Sequence, residues 1–114
     1  MILLEVNECY AFDYLSILEV KKIVNPDSGC KPWEECYSHL RGQLPLMFDT
    51  VIKSKEYRSL YTANFETFKA VGIARDGGKV TAKEVDECNL IRYNCKVALQ
   101  DRFFPNSYLR EVKL

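Results

Sequence analysis

TAKEVDECNLIRYNCKVALQDRFF, residues 81–104, carries the signals of a long and well-delimited helix. Thr81 stands at the N-cap. Its hydroxyl is placed to accept from the backbone N–H of Glu84 while the Glu84 carboxylate reaches back to the Thr81 N–H, the T-x-x-E capping box. Val80 before the cap and Val85 after it fit the hydrophobic staple that sets the angle at which the chain enters the helix. Pro105-Asn106 ends it. On a helical wheel Val85, Cys88, Ile91, Cys95, Ala98, Leu99 and Phe103 form one broad apolar face, and Leu90, Tyr93, Val97 and Phe104 form a second. A helix apolar on two sides is covered on both or used at an oligomer interface. Between the two faces Asn89, Arg92 and Lys96 recur at i, i+3 and i+7.

Moving toward the N-terminus, Asp76-Gly77-Gly78 predicts a left-handed stop for a helix over residues 56–75, whose apolar stripe is Tyr57, Leu60, Tyr61, Phe68 and Val71. The connection to Thr81 is short, so the two long helices are expected to run antiparallel as a hairpin. Residues 46–54 read as a further helix. Before it, Pro32 suits a helix N1 position, with Glu34 and Glu35 in the first turn and Trp33, Cys36, Tyr37 and Leu40 following until Gly42 and Pro45. Asn25-Pro26-Asp27-Ser28-Gly29 reads as a break. Residues 7–24 are helical, with Tyr10, Tyr14, Ile17 and Val24 on one stripe and Leu18 beside it. The opening MILLEV reads as a short strand or a lead-in to this helix. Period-two alternation is otherwise confined to the tail YLREVKL. The expectation is a mainly α chain, a helical bundle built on a long antiparallel helix hairpin.

The chain has 114 residues, enough for one domain over 1–114 and too few for two. At this size one core is feasible without metal or disulfide staples. Sixteen basic residues balance sixteen acidic ones, so no net positive field draws nucleic acid or an anionic membrane. The N-terminus lacks the basic region of a signal peptide, and no window approaches the ~20 apolar residues of a membrane span. A cytoplasmic location is therefore expected. Five cysteines, Cys9, Cys30, Cys36, Cys88 and Cys95, sit at no zinc-site spacing and read as small apolar fillers. His39 has no partner at a catalytic or ligand spacing. No P-loop, G-x-G-x-x-G loop or H-E-x-x-H helix occurs. Glu34-Glu35 and Glu84…Glu87 lack the spacing and second aspartate of the all-α nucleotide pyrophosphatases. No catalytic set, cofactor or metal is expected.

Polar residues on apolar stripes are the informative feature. Asn64 and Arg75 align with Tyr57, Tyr61, Phe68 and Val71. Lys21 aligns with Tyr10, Tyr14 and Ile17, and Asp13 flanks that stripe. Arg92 and Lys96 point between two apolar faces. An unpaired buried cation costs several kcal/mol, so compensation is required. Three arrangements provide it. An anion such as a phosphate, sugar phosphate or carboxylate binds Arg92, Lys96, Arg75 and Lys21, with Asn64 and Asn89 on neighbouring hydroxyls. Alternatively, Asp13, Glu19 or Glu84 pairs with the cations inside the protein. In the third, the long stems snorkel to solvent.

The chain also resembles a family of small uncharacterised bacterial helical proteins. That family opens with ELLDK-x-x-I-L-x-I-K, to which Tyr10-Ala11-Phe12-Asp13-Tyr14-Leu15-Ser16-Ile17-Leu18-Glu19-Val20-Lys21 is similar. Its second block, L-x-x-x-N-x-x-x-W-x-x-x-x-x-x-R, is matched by Leu60, Asn64, Phe68 and Arg75. Its third, N-x-x-R-x-x-x-K, is matched by Asn89, Arg92 and Lys96, and the tail LREVKL is similar to its acidic–basic end. Tyr14 stands where the motif has lysine and Phe68 where it has tryptophan. Residues 25–54 match none of these motifs. The resemblance implies a ligand site of Asp13, Lys21, Asn64, Arg75, Asn89, Arg92 and Lys96. Such proteins occur beside glycosyltransferases of surface-polysaccharide synthesis, which implies a sugar-phosphate or nucleotide-sugar ligand or a partner enzyme. The expected function is a non-enzymatic accessory or anionic-ligand binding module. Its alternatives are a small enzyme on an anionic sugar or nucleotide, with Asp13 as base, and a structural or oligomeric interaction protein, for which a homodimer is one form.

Overall fold

Helix ends are set by residues that satisfy the first backbone N–H groups, and the two longest helices here start on such caps. In the computed structural model, which describes residues 2 and 4–107, the elements are α1 (Glu8–Val24), α2 (Pro26–Gln43), α3 (Phe48–Ile52), α4 (Lys55–Arg75) and α5 (Ala82–Phe103). Thr81 Oγ1 accepts from the Glu84 N–H at 3.1 Å, as its position in the capping box predicts. Ser54 does the same for α4, its Oγ accepting from the Tyr57 N–H at 3.1 Å. Gly77, at φ +84°, ends α4 in the left-handed turn, and the Gly78 N–H donates to the Ile73 carbonyl at 2.7 Å. Among the described residues there is no strand. The alternation expected in the tail falls on 108–114, outside the described residues.

The break expected over residues 25–29 shrinks to the single residue Asn25. Pro26, not Pro32, takes the first helical position, and Pro32 lies exposed within α2. Gly29 explains the tight junction. It is buried against α1, and a Cβ there would lie 2.6 Å from the Lys21 carbonyl oxygen and the Lys22 nitrogen. A residue that reads as a helix breaker is thus the point where two backbones meet.

Helix α1 packs against α2, α4 and α5 and is the centre of the fold. Phe12, fully buried, stands 6.0 Å from the Phe48 ring, 6.2 Å from Tyr57 edge-on and 6.2 Å from Phe104 in a stack. Cys9, Leu15, Leu40, Val51, Leu60 and Leu99 complete this core. The buried face of α1 is therefore Cys9, Phe12, Leu15, Leu18 and Val20, whereas Tyr10, Tyr14 and Val24 of the expected stripe are exposed. Three packing partners surround α1 with apolar contacts, so a single stripe on its wheel does not mark the buried face. On α4 burial stops at Asn64. Phe68 and Val71 beyond it are exposed.

Gly29→Ala is expected to cost about 1–3 kcal/mol, because the methyl group meets backbone rather than a movable side chain. A fall of the melting temperature on the order of ten degrees by circular dichroism checks it.

Candidate functional site

A carboxylate buried on one helix needs donors from its neighbours, and Asp13 finds them on both. From α5, Arg92 Nη2 donates to Asp13 Oδ2 at 2.9 Å and Arg92 Nε to Oδ1 at 3.4 Å. From α4, Asn64 Nδ2 donates to Asp13 Oδ1 at 2.9 Å and to Ser16 Oγ at 2.6 Å. Ser16 in turn donates to the Asp13 carbonyl at 2.8 Å. The Asp13 side chain is 8% exposed and that of Arg92 27%, so this is a largely desolvated pair gripped by a two-pronged guanidinium. Lys96, one turn beyond Arg92, is also buried, its Nζ lying 5.0 Å from the centre of the Tyr10 ring in a cation–π contact.

Of the seven residues singled out in the sequence, the structure joins Asp13, Asn64 and Arg92 directly and sets Lys96 alongside. Lys21, Arg75 and Asn89 stand apart from them. All three are exposed. Arg75 Nε lies 3.8 Å from Asp76 Oδ1 with both side chains mostly in water, and Lys21 lines a concavity of about 510 Å³ with Tyr14, Ser28 and Phe68. Their wheel positions follow the outer continuation of stripes that leave the core, and last-turn cations are stabilised there by the helix dipole.

Two further polar contacts escaped the sequence reading. Asn7 makes no side-chain cap for α1, and Gln100 of α5 replaces it. Gln100 Oε1 accepts from the Cys9 N–H at 2.9 Å, while Nε2 donates to Glu8 Oε1 at 3.1 Å and to the Phe104 carbonyl at 3.0 Å. The available signal was its spacing, since Gln100 extends Arg92 and Lys96 by one more turn. At the start of α4, Glu56 receives Arg102 Nη1 on both carboxylate oxygens. That hydrogen bond, with the Arg102 charge, holds the Glu56 carboxyl below its ordinary value of 4.5 despite burial acting in the opposite direction.

On the outer side of α4 and α5 lies an open groove. One section, of about 820 Å³, is lined by Lys55, Glu56, Ser59, Asn94, Ala98 and Arg102 together with Ile91 and Cys95. The next, of about 510 Å³, shares Ser59, Ile91 and Cys95 and runs on to Arg58, Thr62, Glu66 and Cys88. Burial pushes the Cys95 thiol up, so it sits there as a protonated apolar filler and not as a nucleophile. Among the described residues no group of three or more His, Cys, Asp or Glu side chains is arranged to hold a metal ion. No helix of the described chain is long and apolar enough to cross a membrane. No protein-family model, curated protein or solved structure matches the chain.

Asp13→Ala leaves Arg92 and Asn64 without their acceptor and is expected to cost about 3 kcal/mol, read as a melting temperature lower by on the order of ten degrees. In the matching cycle, adding Arg92→Met to Asp13→Ala recovers part of that loss by removing the stranded charge. Glu56 gives a pH dependence. Its lowered carboxyl stabilises the fold above the ordinary carboxylate value, and this contribution is lost as the pH falls through the depressed one. Thermal melts of Glu56→Gln are expected to fall below wild type at neutral pH and to converge with it in acid.

Proposed function

We propose that this chain is a non-enzymatic accessory module that works by docking a protein partner on the outer face of a two-helix hairpin. In this reading α4 and α5 run antiparallel. The Glu56–Arg102 contact between the start of one and the end of the other supports that arrangement, as does the six-residue connection over 76–81. The observation that carries the proposal is a contrast. The inward polar residues are engaged with one another, while the open groove over α4 and α5 sets Ile91, itself 56% exposed, among the small side chains of Ser59, Cys88, Cys95 and Ala98, with Lys55, Glu56, Arg58, Glu66 and Arg102 also in its lining. A solvent-facing isoleucine in such a groove favours a protein surface over a small polar ligand.

The same contrast weighs against catalysis by Asp13. A general base needs a lone pair within reach of a substrate proton, and here Asn64 and Arg92 occupy both carboxylate oxygens. The anionic-ligand reading keeps one observation in its favour, the closeness of buried Lys96 to partly open Arg92 on one face of α5.

A thermal-shift panel of phosphate, nucleotides and nucleotide sugars separates the two readings. A ligand at about a hundred times its dissociation constant adds ~2.7 kcal/mol, on the order of ten degrees in a domain this small. The expected result is no shift with any of them, and a strongly destabilised Arg92→Ala, Lys96→Ala variant. A shift with one ligand class, absent in that variant, overturns the proposal in favour of an anion site.

A further inference from the structure

We draw no further inference here: the strongest candidate, the mostly apolar concavity of about 660 Å³ between α1 and α2 that Tyr10, Tyr14, Leu18, Cys36 and His39 help to line, carries nothing, because nothing in the structure shows what covers it.

Discussion

A single buried carboxylate fastens three helices. Asp13 sits on α1, its donors Asn64 and Arg92 come from α4 and α5, and no pair of these helices can slide without breaking one of the bonds. The apolar core alone does not impose this. Phe12, Leu60 and Leu99 would tolerate small shifts along the helices, since hydrophobic contact is non-directional. The ion pair pays desolvation and so adds little to net stability, but a misregistered packing would strand the aspartate and the guanidinium in a dry interior. Its contribution lies in excluding alternatives.

The rest of the arrangement fits around that constraint. With α1 fixed against α5, Gln100 comes within reach of the first turn of α1 and closes the Cys9 N–H that Asn7 leaves open. On the other side of α1, Gly29 lets α2 approach backbone to backbone, which brings Trp33, Tyr37 and Leu40 onto the core. Polar contacts thus set the register on one side of α1, and a missing side chain sets the distance on the other.

Much of this was legible in the residues themselves. The Thr81 cap, the glycine stop after Arg75 and the helical character throughout follow from local chemistry that acts within one turn. Asp13, Asn64 and Arg92 were legible as polar residues whose positions demand partners, although sequence alone left open whether those partners were a ligand or one another. The buried face of α1 was harder to read. Apolar residues surround that helix, and its choice between Tyr10 with Tyr14 and Phe12 with Leu15 depends on which neighbours arrive where. Lys21, Arg75 and Asn89 show the same dependence. A wheel records alignment along one helix, but burial ends where the neighbouring helix ends, and α4 leaves the core after Asn64. Gln100 and Gly29 act on elements distant in the chain: the spacing of Gln100 marks it as an inward residue of α5 but does not name the Cys9 N–H as its partner, and the close approach at Gly29 has no local signal.

The broad apolar face on the wheel of α5 divides in two. Leu99, Phe103 and Phe104 turn toward the core. Ile91 belongs to the same apolar surface but lies beyond the reach of α1, whose contact with α5 is made through Arg92, Lys96 and Gln100. Spending that inward stripe on polar, register-setting residues leaves part of the helix's apolar surface on the outside.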